Sequence, residues 1–375
     1  MIYFDSAASY PLLDEVKVKL TKAFSDLYGN SSATHLAGIQ ASESIEAVRE
    51  QLADNIGAYP SEIIFTSGAT ESNNIALKGA LLNNPLFNKK RHIVTASTEH
   101  KCILAICAYL ETQGFEVSYI RPNNKGIISV EDVKQAVRPD TALVSIMQVN
   151  NELGTINPIA EIGEYCFKQE ILFHVDAAQS FGKIEIEVDD LNVDLMSFSA
   201  HKVGGPKGIG AIYIRDLRNK QLMPVIHGAG HEEGIRGGTV AAPLIVGFGE
   251  AISAFPKVYG QLKEAKLKEK FVSLLDEAGI EYRINGAIVD TLPHILSITF
   301  PSIDLPLFIR KTEDQFCLAQ GSACSSKEIE ASHVLRAIGL NIERAERTLR
   351  LSFSHLNTTS DIGSLVKCYS IFLAG

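Results

Sequence analysis

ILFHVDAAQ, residues 171–179, and LMSFSAHK, residues 195–202, each pass from apolar residues into polar ones. The first stretch places Asp176 at the end of a predicted strand, and the second places Lys202 just past the end of the next. Short apolar runs of this kind are typical of strands in a buried, mainly parallel sheet. Ligands of such sheets bind at the carboxyl ends of the strands, so Asp176 and Lys202 are candidate site residues.

Five more apolar stretches repeat this pattern, and helix-like periods separate most of the seven, for example at residues 71–82 and 102–112. The additional stretches are residues 63–66, 92–95, 116–120, 142–147 and 210–214. Alternation of strands and helices is typical of α/β domains. We therefore predict an α/β fold whose large domain holds a mainly parallel, seven-stranded sheet with both faces covered.

The pattern changes after about residue 250. A long charged helix is predicted over 258–278, followed by strands near 295–299 and 349–352. These elements indicate a smaller α+β domain. We predict a large domain over 14–250 and a small domain made of 1–13 and 251–375.

Composition excludes several classes of function. Of 375 residues, 35 are Lys or Arg and 44 are Asp or Glu, and the net charge of −9 argues against direct nucleic-acid binding. No stretch approaches the roughly 20 apolar residues of a membrane helix, and the N-terminus lacks signal-peptide character, so we expect a cytoplasmic protein. The six cysteines form no C-x-x-C pair, so we expect no metal site and no disulfide framework.

A lysine and a carboxylate at neighbouring strand ends suit one cofactor, pyridoxal 5'-phosphate. The lysine amine forms a Schiff base with the aldehyde, and the carboxylate pairs with the pyridinium nitrogen. The alternatives are a helix N-cap or ion-pair role for Asp176 and an ordinary surface position for Lys202. The GGPKG turn at 204–208 is unusual beside a solvated lysine and favours the cofactor.

Other predicted strands also end in polar residues. The turn at 67–70 opens a helix, which favours phosphate binding by Ala69 and Thr70, although a plain N-cap is the alternative. His100 follows another strand and is a candidate for ring stacking and proton transfer, or a structural histidine. Asn151 follows a third strand, where asparagine is also common for conformational reasons.

Seven motifs in this order carry a resemblance that covers nearly the whole chain. The sequence resembles a cysteine desulfurase of the NifS/IscS group, within the class V aminotransferases of pyridoxal-phosphate fold type I. The motifs are residues 65–74 (FTSGATESNN), 99–100 (EH), 150–154 (NNELG), 174–179 (HVDAAQ), 199–202 (SAHK), 205–210 (GPKGIG) and 321–324 (GSAC).

The resemblance implies roles for individual residues. Lys202 would carry the cofactor, with His100 stacked on its ring, Asp176 on its ring nitrogen and Gln179 on its phenolic oxygen. The phosphate would be held by Thr70, Ser199 and His201, with Thr239 of the partner subunit in a homodimer. The substrate L-cysteine would be held by Asn151 and Arg350, the latter in a bidentate pair with its carboxylate.

Cys324 is the expected sulfur acceptor, because it lies in a run of small and polar residues suited to a moving loop over about 319–332. The expected reaction converts L-cysteine to L-alanine and leaves a persulfide on Cys324. The persulfide would pass to an acceptor protein in iron–sulfur cluster assembly, tRNA thiolation or DNA phosphorothioation. Because a free thiol is mostly protonated at neutral pH, His100 is a candidate proton acceptor.

Some positions depart from the family pattern. Residues 228–239 read GAGHEEGIRGGT, whereas the family usually has G-G-G-Q-E-x-G-x-R-S-G-T, so Ala229, His231 and Gly237 differ. These departures favour a dedicated sulfur pathway over general iron–sulfur supply. The alternatives to a desulfurase are a selenocysteine lyase, a class V aminotransferase or a non-catalytic scaffold.

Overall fold

The computed structural model describes residues 1–82, 84, 90–220, 222–320 and 331–374. In these ranges the strands are β1 Ile2–Tyr3, β2 Ile63–Thr66, β3 His92–Ala96, β4 Glu116–Ile120, β5 Thr141–Ser145, β6 Leu172–Asp176, β7 Leu195–Ser199, β8 Gly210–Ile214, β9 Arg283–Asn285, β10 Ile295–Thr299, β11 Phe316–Cys317, β12 Ala319–Gln320 and β13 Thr348–Ser352.

The helices alternate with these strands in the first two thirds of the chain. They are α1 Asp14–Asp26, α2 Leu36–Ile56, α3 Ala69–Asn74, α4 Lys101–Thr112, α5 Val130–Ala136, α6 Ile159–Lys168, α7 Leu217–Lys220, α8 Ala242–Ala265, α9 Leu267–Glu277, α10 Leu305–Thr312, α11 His333–Ala337, α12 Ile342–Glu346 and α13 Thr359–Ala374.

The large sheet has seven strands in the order β2-β8-β7-β6-β5-β3-β4. Four of its pairings are parallel, and only β8 runs antiparallel to its neighbours β2 and β7. All residues of the inner strands β5, β6, β7 and β8 are buried, as expected for strands covered on both faces. The prediction of an α/β fold with a mainly parallel seven-stranded sheet is confirmed.

A second, antiparallel sheet has the order β12-β13-β10-β9, and β1 pairs in parallel with β11. Asp5, which follows β1, forms a further parallel bridge to Ser352 in β13. The N-terminal segment therefore packs with C-terminal strands. The domain boundaries at 13/14 and 250/251 stay predictions, and α8 runs continuously across residue 250.

Two predicted helices differ from the observed ones. The helix predicted over 71–82 begins at Ala69 and changes into a π-helical turn over Ile75–Gly79. The single helix predicted over 258–278 is wrong: α8 begins at Ala242, and Lys266 in the left-handed conformation (φ 47°) separates α8 from α9. Pro256 lies inside α8, where the buried apolar face outweighs the hydrogen bond that proline removes.

Among the described residues, no helix combines the length and the apolar character that crossing a bilayer requires.

Candidate active site

A cavity of about 670 Å³ lies at the carboxyl ends of the central strands, a typical volume for a small-ligand site. The N-terminal segment at residues 7–9 and Arg350 of β13 also line it, so both sheets contribute. Ten predicted site residues meet around this cavity: Ala69, Thr70, His100, Asn151, Asp176, Gln179, Ser199, His201, Lys202 and Arg350.

Asp176 is the last residue of β6, and its side chain is 5% exposed. Its Oδ2 accepts from Asn73 Nδ2 at 2.8 Å, and its Oδ1 accepts from the backbone N–H of Ala178 at 2.9 Å. These are neutral donors, and within the described residues no Lys, Arg or His forms an ion pair with this carboxylate. A buried carboxylate that faces a cavity and has no ion-pair partner among the described residues is suited to a cationic ligand group.

Lys202 follows β7, and its Nζ donates to the carbonyl oxygens of Ala7 and Ala8 at 2.7 and 2.8 Å. Burial lowers the pKa of Lys202 to about 8, and the positive charge of Arg350 lowers it further against the attraction of Asp176. A substantial fraction of the amine is therefore neutral near physiological pH, as nucleophilic attack on an aldehyde requires.

His100 is the N-cap of α4 at the exposed side of the cavity, where its Nδ1 accepts from the backbone N–H of Cys102 at 3.2 Å. Cys102 Sγ also lies 3.0 Å from Nδ1. Burial of the ring lowers the pKa of His100, while Asp176 opposes that shift. The ring is therefore neutral at physiological pH, with its proton on Nε2.

One end of the cavity is lined by hydroxyl and imidazole groups. Ser199 ends β7, His201 follows it, and Thr70 lies in the first turn of α3. Gly68 precedes that helix with φ 146°, a conformation that favours glycine. Burial lowers the pKa of His201 to about 4, and Lys202 and Lys207 lower it further. This end of the cavity therefore contains hydrogen-bond donors suited to an anion. Lys207, which also lines the cavity, adds a cationic side chain.

Arg350 lies in β13, and its Nη2 pairs with Asp5 Oδ1 at 2.5 Å. Its Nη1 donates to the backbone oxygen of Asn151 at 3.2 Å. Among the described residues its Nε has no hydrogen-bond partner, and that atom is closed to solvent. Because the side chain lines the cavity, its guanidinium is suited to an anionic ligand group.

One predicted residue in the described part of the chain does not line this cavity. Thr239 is exposed and lines a small neighbouring cavity that shares Ser67 and Gly208 with the main one. Its assignment to the partner's phosphate stays a prediction. Cys324, with most of the predicted loop over 319–332, lies outside the described residues.

Residue-by-residue reading missed three contacts that order the site. They are the bond of Asn73 to Asp176, the ion pair of Asp5 with Arg350, and the contact of Cys102 with His100. Sequence spacing could have indicated two of these contacts. Asn73 lies one helical turn after Thr70, and Cys102 lies two residues after His100. The partner of Arg350 is 345 residues away in sequence and gave no local signal.

The family departure at Gly237 has a steric explanation. A Cβ at Gly237 would lie 2.6 Å from the Cα of Gly228, so serine does not fit this loop geometry. Two ion pairs then hold the loop: Glu232 pairs with Arg49 at 2.8 Å, and Arg236 pairs with Glu71 at 2.9 Å. The loop is thereby tied to α3, which forms part of the cavity wall.

The residues at the cavity fit pyridoxal 5'-phosphate. A buried carboxylate without an ion-pair partner in the described part of the chain suits the pyridinium nitrogen, and the neighbouring lysine has a lowered pKa. The hydroxyl and imidazole end suits the phosphate, and Arg350 adds a guanidinium to the lining for a substrate carboxylate.

Comparison with known proteins agrees with this geometry. Residues 2–365 match the family described as aminotransferase class-V. The cysteine desulfurase IscS of Colwellia psychrerythraea is 44% identical over 367 residues, covering 96% of this chain and 90% of the relative. Pyridoxal 5'-phosphate is the cofactor of this family.

Solved structures give the same result. A structure of SspA in complex with cysteine is 44% identical, with a TM-score of 0.85 over 96% of this chain and 100% of that one. A NifS-like protein has a TM-score of 0.90 and 35% identity over 100% and 99% of the two chains. The chain thus belongs to the aminotransferase class-V family and, within it, to the cysteine desulfurases.

Proposed function

We propose that this protein is a pyridoxal-phosphate-dependent cysteine desulfurase, which converts L-cysteine to L-alanine and retains the sulfur as an enzyme persulfide. The observation that carries the proposal is that Lys202, Asp176 and Arg350 line one cavity, although they come from different strands and both sheets. The cysteine-bound SspA, which is 44% identical over nearly the whole chain, supports L-cysteine as the substrate.

The bound cofactor supplies an electron-withdrawing ring that stabilises negative charge at the substrate α-carbon. Asp176 would pair with the ring nitrogen, and its two neutral donors keep the carboxylate oriented. Lys202 holds a partly neutral amine that can accept a proton at Nζ. Thr70, Ser199 and His201 would anchor the phosphate.

Substrate orientation would depend on Arg350 and Asn151. Asp5 and the Asn151 backbone oxygen hold two guanidinium nitrogens in place. The guanidinium N–H groups that these two bonds do not use are left for the substrate carboxylate, and a fixed guanidinium loses little entropy on binding it. His100 would offer its Nε2–H to the reacting groups, because the Cys102 amide occupies its Nδ1. The predicted role as proton acceptor for Cys324 would need the other tautomer.

Sulfur transfer would use Cys324. Its thiolate attacks the substrate sulfur, an S–S bond forms, and the substrate C–S bond breaks. The electron pair of that bond stays with the CH2 carbon, which gains one proton to become the methyl group of alanine. The products are alanine and a Cys324 persulfide, so the step needs no external oxidant.

The proposal includes a homodimer, an acceptor protein and a cytoplasmic location. The exposed Thr239 is available to a second copy of the chain. The net charge of −9 favours an acceptor protein with a basic face. The acceptor would serve iron–sulfur cluster assembly, tRNA thiolation or DNA phosphorothioation. Five cysteines in the described part are free thiols, as expected in a reducing compartment.

The test is turnover of L-cysteine by the cofactor-loaded protein in the presence of a reductant. We expect equal amounts of alanine and sulfide, and we expect Cys324→Ser to keep the visible cofactor band but release no sulfide. Cys368→Ser is the matched control, because Cys368 lies in α13, donates to Gln315 Oε1 at 3.7 Å and is not among the residues that line the cavity, so the variant should keep full activity. Normal sulfide release by Cys324→Ser would disprove the sulfur-acceptor role.

The same assay separates the alternatives. Formation of a keto acid from an amino donor would favour an aminotransferase, and turnover of selenocysteine alone would favour a selenocysteine lyase. A protein that takes up no cofactor would be a scaffold.

A further inference from the structure

Lys183 is a buried lysine behind the cavity wall with no carboxylate partner in the described part of the chain. Its side chain is 9% exposed. Its Nζ donates to the backbone oxygen of Gln179 at 3.0 Å and lies 3.5 Å from the side-chain Oε1 of the same residue. A buried, unpaired ammonium is costly, so its persistence here needs an explanation beyond packing.

The contacts of Lys183 determine how the Gln179 amide is oriented. Oε1 faces the ammonium, and Nε2 donates to the backbone oxygen of Ala7 at 2.7 Å. A flipped amide would place N–H groups against the ammonium and oxygen against the Ala7 oxygen, and both contacts are repulsive. The second N–H of Nε2 is then the group that Gln179 has left for the cavity it lines.

We infer that Lys183 is a positioning residue, which holds Gln179 as a hydrogen-bond donor toward the phenolic oxygen of the bound cofactor. The inference rests on the proposed function, because Gln179 has this role only in a pyridoxal-phosphate enzyme. Lys183 does not itself line the cavity, and this role would explain why a lysine is buried there. Lys183 and Lys202 are also connected through the Ala7 oxygen, which accepts from both Gln179 and Lys202.

Several charged or titratable groups surround this arrangement. Lys183 lies close enough to Lys202 and His294 for their charges to interact. Burial lowers the pKa of His294 well below its usual value, so His294 is neutral. Tyr259 hydroxyl lies 3.2 Å from His294 Nδ1. On the cavity side, Asp176, Arg350 and Asp5 act on Lys202. Burial, followed by the charge of Lys202, lowers the pKa of Lys183 to about 7, so its charge varies within the testable pH range.

The test is the pH midpoint of the visible absorbance of cofactor-loaded Lys183→Met. The bound cofactor's phenolic oxygen and the Lys202 nitrogen would share a proton, and a nearby donor and cation favour its loss. In Lys183→Met the cation is lost and the donor is no longer held in place. We therefore expect the pH midpoint of the visible absorbance to rise by roughly half a pH unit or more, and the cofactor dissociation constant to rise about fivefold.

Lys268→Met is the matched control, because Lys268 is also largely buried but donates weakly to Thr291 away from the cavity. It should leave the midpoint unchanged. Gln179→Glu is a second test that keeps Lys183: it replaces the donor by an acceptor and should also raise the midpoint. In a Gln179→Ala background, Lys183→Met should shift the midpoint less than in the wild-type background, because only the through-space effect of the charge remains.

An unchanged midpoint in both Lys183→Met and Gln179→Glu would overturn the inference. Failure of the wild-type protein to bind the cofactor at all would instead reject the proposed function, so the two failures are distinguishable.

Discussion

Glu99 is a buried carboxyl group next to His100, and it illustrates how single residues support the site. Its Oε1 accepts from the backbone N–H of Met147 at 2.7 Å, whereas its Oε2 has no partner in the part of the chain that the structure describes. Burial raises the pKa of Glu99 well above its usual value, and the negative charge of Asp176 raises it further. The Glu99 carboxyl group is therefore held as the neutral acid between the segments that follow β3 and β5.

Replacement of Glu99 by glutamine should stabilise the protein increasingly as the pH rises. The native state keeps a proton that the unfolded chain loses above the ordinary glutamate pKa, so wild-type stability falls with pH in that range. Glutamine keeps the Met147 bond without titrating. We expect the difference in the free energy of unfolding to grow by up to about 1.4 kcal/mol per pH unit above pH 4.5.

Urea unfolding of both proteins at pH 5, 6 and 7, with fixed protein and cofactor concentrations, measures this difference. A pH-independent difference would show that Glu99 is ionised in the native state.

At the scale of elements, the start of β8 and the turn before α3 touch without room for a side chain. A Cβ at Gly210 would lie 2.6 Å from the Cα of Gly68 and 2.3 Å from the backbone oxygen of Phe198. Gly68 opens the helix that carries Thr70, so β8 determines where the predicted phosphate-binding turn lies. Backbone contact of this kind is a reason for glycine that no local periodicity indicates.

Two glycine-to-alanine variants should have opposite effects. Gly210→Ala forces the turn at Gly68 away from β8, so we expect a loss of roughly 1–3 kcal/mol in stability and weaker cofactor binding. Gly260→Ala lies in α8, where the added Cβ has nothing within 4 Å, and should stabilise the protein by about 0.5–1 kcal/mol. Thermal unfolding and cofactor titration measure both effects. Equal stability of the two variants would contradict the described packing.

At the scale of the whole molecule, the site exists only because both sheets contribute to it. The seven-stranded sheet supplies Asp176 and Lys202, while β13 of the second sheet supplies Arg350. The N-terminal segment joins them, since Asp5 binds Arg350 and Ala7 binds Lys202. Cofactor and substrate groups are therefore placed by different parts of the fold.

The predicted role of Thr239 in the partner's site can be tested with mixed dimers. A Thr239→Ala homodimer should bind the cofactor about tenfold or more weakly, because a bond to phosphate is lost. A heterodimer of Lys202→Ala and Thr239→Ala subunits should regain one site of wild-type affinity, since its intact lysine meets an intact threonine from the other chain. Thr112→Ala, which changes an exposed threonine at the end of α4, is the control and should bind normally.

The strands were predictable because each is a short apolar run with clear limits, and all seven of the large sheet occur at the expected places. The helix break at Lys266 was not predictable, because α8 and α9 are set by packing against α1, α2 and α13 rather than by a breaker residue. Packing also explains Pro256, which lies two residues before the predicted helix start at 258 and inside α8 in the structure.

The sequence by itself determined the alternation of strands and helices, the polar residues at strand ends, and the lysine and carboxylate that indicate the cofactor. These are local properties, because hydrophobic periodicity and side-chain chemistry are readable from neighbouring residues. Only the tertiary structure decided the neutral partners of Asp176, the ion pair of Arg350 with Asp5, and the lysine behind Gln179. Asn73 and Asp176, like Asp5 and Arg350, are distant in sequence and meet only in the folded chain. Burial in the folded protein then shifts the pKa values of the lysines.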